Sequence, residues 1–498
     1  MIFTILLATT IFLLFLYKLS TWNYDYWKKR NVPHIKPIPF FGNFIDTFTL
    51  KSTMGEALQK LHQKIDMPYF GAYVLHKPFF FVKDLELIKH VLVKDFDHFS
   101  DRYVLSDEQC DPITSFMLFF SKNPEWKYMR NKITPILTSG KMKNMFPLIK
   151  EMGTEMTSHL TGKVTNEIVE AKEISTKYAT NVITSCAFGL NANSFQNQDS
   201  PFYKYAKMMF DTNLTNGFNQ GCYFLGHTMV KLLRAPFFDR EILSFMRIVF
   251  WKTIEERERS LEVRNDLIDV MKEFKQQTYA TNHFKFEGDK VLAQAAQFYS
   301  AGFETVSSTI SFALYEISFR PEIQNRLRSE IKQKIAEYKE MSYACVDSMT
   351  YLSMVVDETL RKYPVLPFLE RKCVKDYKVP NTDLVISNGT PVYISLLGLH
   401  HDPTYYPNPE EFDPERFSEN RQNIVRYSYL PFGDGQRNCL GARFGLMSTK
   451  VGLLNVILNF EISPCPATPR LIKFSPKSIF LSSSVGIPLN FKRICVDI

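Results

Sequence analysis

The sequence predicts a mainly α-helical fold with a small β subdomain, preceded by an N-terminal transmembrane helix, and three observations carry that expectation. Asp289 to Ser318 runs without proline, stops ahead of Pro321 and holds few charges. At ~1.5 Å per residue it reaches about 45 Å, so it reads as a buried central helix. Residues 145 to 285 are mostly helical by pattern, with the charged run Glu255 to Arg259 as a solvated face. Short β-like pieces, Tyr69 to Leu75 and Phe79 to Val82, mix with helical runs between residues 43 and 100, which predicts a small sheet.

Ile2 to Tyr17 is apolar and uncharged. It is slightly short of the ~20 residues a spanning helix needs, and Lys18 can snorkel to extend it. Trp22, Tyr24, Tyr26 and Trp27 then read as an interfacial belt. Lys28, Lys29 and Arg30 follow, which by the positive-inside rule puts the body on the cytosolic side. A cleaved signal peptide is the competing reading, but no basic segment precedes the run and no small-residue cleavage site follows it. On the cytosolic side the sequons at Asn213 and Asn388 go unused. Pro33, Pro37 and Pro39 predict a stiff extended spacer. No linker-like composition splits the 498-residue chain after residue 40. The expected organisation is an anchor at 1–20, a basic and aromatic interface with a proline-rich hinge at 21–42, and a single domain at 43–498.

The formal charge of +8 and pI of 8.8 suit an acidic protein partner or an anionic membrane surface. No zinc finger or basic region separates out, so nucleic acid is discounted. The 43 Phe and 24 Tyr predict a large apolar interior with room for an apolar cavity. Eight cysteines, Cys110, Cys186, Cys222, Cys345, Cys373, Cys439, Cys465 and Cys495, lie scattered without C-x-x-C pairing. That argues against a zinc site and a disulfide framework, and fits a reducing compartment.

The chemistry concentrates near the end of the chain. Pro431 to Gly441 places Cys439 behind a turn punctuated by Gly433 and Gly435 and ahead of an apolar helix, Ala442 to Val456. A helix N-terminus carries about half a positive charge, and Arg437 adds a full one two residues away; together they favour a metal-binding thiolate. An ordinary buried cysteine behind a turn is the plain alternative. Phe432, Gly435, Arg437, Cys439 and Gly441 meet the pattern F-x-x-G-x-R-x-C-x-G in full. That pattern resembles the haem-binding loop of the haem-thiolate monooxygenases, the cytochrome P-450 superfamily. A dinucleotide site is excluded here, because no strand-turn-helix with G-x-G-x-x-G follows.

Further segments extend the resemblance in order. Trp126 and Arg130 stand at i and i+4, two donors on one helix face, and resemble the W-x-x-x-R element that contacts a haem propionate. In the central helix, Ala301-Gly302-Phe303-Glu304-Thr305 concentrates unfavourable choices: glycine costs roughly 1 kcal/mol in a helix interior, and an unpaired buried glutamate costs more. Thr305 can bond back to the Ala301 carbonyl and open a groove, while Gly302 leaves room for a diatomic ligand. A kinked helix with a salt-bridged glutamate is the plain alternative. The segment resembles the family's A/G-G-x-D/E-T motif, with Val306 where Thr or Ser is usual, and implies Glu304 and Thr305 as the proton-delivering pair. Glu358-x-x-Arg361 with Phe412 to Phe417 resembles the family's E-x-x-R and P-E-R-F elements, which implies a structural network of Glu358, Arg361 and Arg416. Arg371 resembles the strand arginine that pairs with a propionate, and Val365 stands where related insect-type enzymes usually have proline. Adjacent His400 and His401 point to different sides of most backbones, so they read as structural.

Phe116, Phe119 and Phe120 resemble the first substrate-recognition segment. With Ala301, Phe303, Leu366 and Val485 they are the expected substrate pocket. Ser482 to Gly486 reads as a hairpin turn that by resemblance dips into it, and residues 210 to 238 as a mobile roof and second membrane contact.

The resemblance spans nearly the whole chain and looks most like insect microsomal members that oxidise foreign lipophilic compounds. It implies haem b (iron protoporphyrin IX) with Cys439 as axial iron ligand and Trp126, Arg130, Arg371 and Arg437 at the propionates, in a loop shaped by Phe432, Gly435 and Gly441. It implies a membrane-bound monooxygenase of the endoplasmic reticulum that inserts one atom of O2 into lipophilic small molecules, xenobiotic or endogenous. The chain has no flavin or nicotinamide fingerprint of its own, so NADPH acts through a flavoprotein reductase, with cytochrome b5 as a further donor. Lys127, Lys132, Lys141, Lys143 and Arg443 then form a basic docking face. Two alternatives stand beside this. A haem-thiolate isomerase or dehydratase acting on peroxides would have little use for Glu304 and Thr305, and a non-catalytic haem-binding protein is hinted at only by Val306 and Val365.

Overall fold

The computed structural model describes residues 1–163, 166–197, 199–260, 263–264, 266–276, 287–419 and 424–494. Cys495 and the end of the expected helical region, 277–285, lie outside the described residues. The chain divides into two compact units: Met1–Val104, Leu366–Pro409 and Val425–Asn438 form the first, and Leu105–Val365, Glu410–Ile424 and Cys439–Ile498 the second.

The first unit holds the predicted sheet. Tyr69–Val74 and Lys77–Val82 form a hairpin, with Tyr69 opposite Val82 and Val74 opposite Lys77. The sheet continues from Lys77–Val82 in parallel to Pro391–Ser395, which pairs antiparallel with Phe368–Lys372. Aromatic and β-branched residues suit such strands, and here Phe80, Val82, Val392 and Ile394 enter a core shared with Ile88, Leu92 and Leu430.

Two expectations about the N-terminal region change. Ile2–Thr21 is a helix of 20 residues, none of them buried, with a mean hydropathy of 2.2, long and apolar enough to cross a membrane. Trp27, however, does not join an interfacial belt with exposed Trp22. It is fully buried; its indole N–H donates to the Ala72 carbonyl at 3.3 Å, and its ring fills the place beside Gly71 where a Cβ would come within 2.3 Å. The proline-rich spacer is also drawn onto the sheet. Gly71 N–H donates to the Pro33 carbonyl at 2.8 Å, Ile35 N–H to the Gly71 carbonyl at 3.3 Å, and Asn43 N–H to the Tyr73 carbonyl at 2.8 Å. The physical reason is the outer edge of Tyr69–Val74, whose backbone groups these residues satisfy.

In the second unit Asp289–Ser318 is the predicted central helix. It packs along Ala171–Ile183 and Ala442–Asn459. Glycine removes a side chain at the crossings: a Cβ on Gly302 would lie 2.5 Å from Ile183 Cδ1, and one on Gly452 2.6 Å from Ile310 Cδ1. Residues 210 to 238 form two helices, Leu214–Leu225 and His227–Leu233. A three-stranded sheet joins Asn166–Glu170, Pro488–Arg493 and Phe460–Pro464. Near the C-terminus, Ser475 N–H donates to the Ser482 carbonyl and Ser484 N–H to the Lys473 carbonyl, each at 2.8 Å. The hairpin turn therefore lies within 476–481, and Ser482 to Gly486 is the return arm.

The second unit also brings together Glu358, Arg361 and Arg416. Arg361 Nε and Nη2 donate to the two Glu358 carboxylate oxygens at 2.7 and 2.8 Å, and Nη2 reaches the Glu411 carbonyl at 3.2 Å. Glu358 Oε1 accepts the Asp413 N–H at 2.9 Å and lies 3.5 Å from Arg416 Nε. Both partners of the central pair are fully buried. Removing one charge strands the other, which costs about 3–5 kcal/mol. Glu358→Gln is therefore expected to lower denaturant-unfolding stability by about that much; a loss below about 1 kcal/mol, the scale of a surface pair, would show that the network does not hold the fold.

Candidate functional site

The central helix is open along one stripe of its middle. Gln297, Phe298, Ala301, Gly302 and Thr305 are partly or fully exposed, while the rest of Val291 to Ser318 is buried, and their spacing is that of one helical face. Thr305 Oγ1 donates to the Ala301 carbonyl at 2.8 Å, the back-bond predicted from the sequence. Glu304 lies on the buried side. Its Oε1 accepts from Lys172 Nζ at 2.8 Å and from Ser308 Oγ at 3.1 Å, which offsets the cost of burying the carboxylate.

Two readings of this stretch are corrected. Gly302 does not leave space for a diatomic ligand on its missing Cβ side; Ile183 fills it, so the glycine serves helix packing. Phe303 does not line the open stripe. It is fully buried, with its ring 5.5 Å from Tyr299 and 5.7 Å from Phe210, because two residues of helix turn it about 200° from Ala301.

The other expected pocket residues divide. Phe116 and Phe119 are half-buried and stitched to the central helix: Gln294 Nε2 donates to the Phe116 carbonyl at 2.6 Å, and Phe119 N–H to Gln297 Oε1 at 2.9 Å. Phe120 is buried edge-on against Phe237 at 4.9 Å and Tyr223 at 6.2 Å, so it packs the interior. Leu366 is half-buried. Val485 is 67% exposed on the return arm, and the turn instead supplies Phe480, whose ring lies 5.0 Å from Phe210. Trp126, buried, and Arg130, half-buried, stand one turn apart on Glu125–Ile133.

In the first unit, cations gather around strand Phe368–Lys372. Arg437 Nε donates to the Ser100 carbonyl at 2.8 Å, and its Nη2 lies 3.3 Å from Asp101 Oδ1. Arg102 Nη1 lies 3.5 Å from Glu370 Oε1, and its Nη2 donates to the Arg437 carbonyl at 3.3 Å. The Glu370 carboxylate also accepts the Tyr103 N–H. Arg371, 1% exposed, gives Nη1 to the Glu370 carbonyl at 2.8 Å, and its buried Nε has no hydrogen-bond partner among the described residues. Burial and the Arg102 charge push Arg371 down to about 9; burial, Arg102 and Arg371 hold Arg437 well below its ordinary value. Guanidiniums keep their proton, so the cost appears as repulsion within the cluster, and an anion would relieve it. These residues fit the propionates of the expected haem. Arg102 carries no motif, and only folding reveals it.

The loop from Pro431 needs its glycines. Gly433 and Gly435 hold φ of +67° and +73°, and a Cβ on Gly435 would lie 2.0 Å from the Leu92 carbonyl oxygen, so only glycine fits. Phe432 is half-buried. Cys439 is exposed, whereas Cys110, Cys186, Cys222, Cys345 and Cys373 are buried; burial pushes the Cys222 and Cys373 thiols up to about 11. Gly441 caps Ala442–Asn459 without a side-chain hydrogen bond. The first-turn N–H groups of that helix therefore lack side-chain caps at its N-cap, and a Cβ on Gly441 would meet nothing within 4 Å.

Comparison with known proteins agrees with the loop. The family model described as Cytochrome P450 matches residues 32–491. The chain is similar to Cytochrome P450 6k1 of Blattella germanica, 42% identical over 98% of this chain and 96% of the relative. It is also similar to Cytochrome P450 6j1 of the same species, at 39% over 96% and 95%, and to Cytochrome P450 6a2 of Drosophila melanogaster, at 38% over 98% and 99%.

Overpacking the crossing at Gly302 with Gly302→Val is expected to cost about 1–3 kcal/mol, measured by denaturant unfolding, and Ile183→Ala should recover part of it; no recovery would place the strain elsewhere. Arg371→Leu removes a buried cation that lacks an anion. Haem-free stability should hold or rise while haem retained through purification, read as pyridine haemochromogen, falls; equal losses in both would make Arg371 a residue of the fold alone.

Proposed function

Because the chain belongs to the cytochrome P450 family, we propose that it is a membrane-anchored haem-thiolate monooxygenase that inserts one atom of dioxygen into lipophilic small molecules, using NADPH through a flavoprotein reductase. The observation that carries this reading is the loop from Pro431: it leaves Cys439 exposed ahead of a helix N-terminus and sets Arg437 within the field of buried Arg371, whose Nε has no hydrogen-bond partner among the described residues. Cys439 would bind the iron of haem b, and Arg371, Arg437, Trp126, Arg130 and Arg102 would hold the propionates. Bound haem, with electron density donated by the thiolate, supplies the activation and cleavage of dioxygen.

The chain's own side chains do the rest. Phe116, Phe119 and the stripe from Gln297 to Thr305 would hold an apolar substrate and exclude water. Thr305, with its proton given to Ala301, presents hydroxyl lone pairs that can accept from a water, and Glu304 would supply the proton to be passed on. Lys127, Lys143 and Arg443 are exposed, Lys132 and Lys141 half-exposed, a basic face suited to steering an acidic reductase. Ile2–Thr21 would anchor the protein in the endoplasmic reticulum membrane with the body on the cytosolic side, which Lys28 to Arg30 support. Exposed Leu214, Phe218, Leu232 and Leu233 suit a second membrane contact, through which oily substrates would enter.

The test is optical and chemical. With reductase and NADPH the protein is expected to oxidise members of a lipophilic panel, and its ferrous carbon monoxide complex should show a red-shifted Soret band that Cys439→Ser abolishes. Survival of that band in the variant would falsify the thiolate assignment.

A further inference from the structure

Glu304 is not simply a buried acid with a counter-ion. Lys172, at the start of Ala171–Ile183, spends all three of its protons on one turn of the central helix: Nζ donates to Glu304 Oε1, Ser307 Oγ and Ser308 Oγ, each at 2.8 Å. Ser308 Oγ in turn donates to Glu304 Oε1 at 3.1 Å. The two serines are fully buried, yet the Lys172 side chain is 27% exposed. The network therefore reaches from the helix interior to solvent.

A cavity adjoins it. Polar Lys172, Ser308, Ser311, Ser482 and Ser483 share the lining with Gly486 and apolar Phe312, Leu481 and Ile487 around a space of about 30 Å³, room for about two water molecules on its polar side. The return arm is held against it by Glu170, whose Oε1 accepts the Ile487 N–H at 2.7 Å and the Lys172 N–H at 3.2 Å. Neither Lys172 nor these serines belongs to a motif that marks them. The usual hydroxyl after the acid and Thr305 is here Val306, which is buried; the hydroxyl on the Glu304 carboxylate comes from Ser308 instead, while Ser307 Oγ donates to the Glu304 backbone carbonyl.

Resting on the monooxygenase reading, we infer that Lys172 is the positioning residue of the proton relay, and that Lys172, Ser308 and the serine-lined cavity form the solvent-side port through which Glu304 is resupplied. A proton arriving from solvent passes along cavity water to Ser308. The hydroxyl gives its own proton to Glu304 Oε1 and takes one from the water behind it, so one proton moves inward and the serine ends unchanged. Glu304, neutral once protonated, loses its charge attraction to Lys172 and is free to turn its proton toward Thr305.

The experiment uses the full-length holoprotein. In the resting protein, infrared difference spectra against Glu304→Gln isolate the Glu304 carboxyl. Lys172→Met should shift that band by removing the hydrogen bond that Lys172 Nζ donates to Glu304 Oε1, and Lys172→Arg should return it toward its wild-type frequency. In turnover with reductase and a substrate of the wild type, Lys172→Met and Ser308→Ala should each lower product formed per NADPH by about tenfold or more, less than the roughly hundredfold or greater loss of an acid–base group itself because each acts through Glu304. Electrons should go to hydrogen peroxide, with haem content unchanged and rescue by Lys172→Arg. An unaltered Glu304 band together with unaltered coupling in Lys172→Met overturns the inference, as does loss of coupling that Lys172→Arg fails to rescue. If the wild type forms no product while its infrared bands behave as expected, the monooxygenase reading fails and the hold of Lys172 on Glu304 stands.

Discussion

The fit of the central helix against its neighbours is the constraint on which the rest depends. Ile183 occupies the space a side chain at Gly302 would need, and Ile310 and Tyr178 do the same at Gly452. Close-packed interiors do not slide, so these contacts fix both the rotation and the axial position of Asp289–Ser318. A slip of one residue would turn the helix by about 100°. It would carry Glu304 away from Lys172 and cover the stripe that now leaves Ala301 and Thr305 accessible. The exposure of Ala301 and Thr305 is thus set by packing at two glycines.

Buried charge is handled in two contrasting ways. The Glu358 carboxylate takes two hydrogen bonds from Arg361 and one from the Asp413 N–H, with the Arg416 charge 3.5 Å away, and a carboxylate so matched by opposite charge marks architecture. Arg371 keeps a buried nitrogen without a partner among the described residues, although a folded interior ordinarily satisfies its polar groups. The difference separates a carboxylate that the fold consumes from a cation that it holds ready for something else.

What could be read in advance follows from how far apart the interacting residues lie in the chain. The central helix, the Tyr69 to Val82 hairpin, the Thr305 back-bond and the cysteine loop are written in local spacing, and the structure contains each of them. Trp27 was misread because its partners, Gly71 and Ala72, come from a strand still to follow; amphipathic rings near a span look interfacial until that strand is in place. Gly302 and Phe303 were misread because composition says that a small and a large residue are present, whereas helix rotation decides which faces Ile183 and which faces Phe210. Arg102 and Lys172 were invisible because each is defined by a partner more than a hundred residues away. The C-terminal turn was displaced because serines and glycine suit a return arm as well as a turn.

Trp27 has a further consequence for how the protein meets its surroundings. The Ile2–Thr21 helix has no buried residue, and the chain is gripped again at Trp27, leaving only the short stretch 22–26 as tether. With that helix in a bilayer, a leash that short holds Trp27, and the sheet edge that grips it, close to the lipid surface.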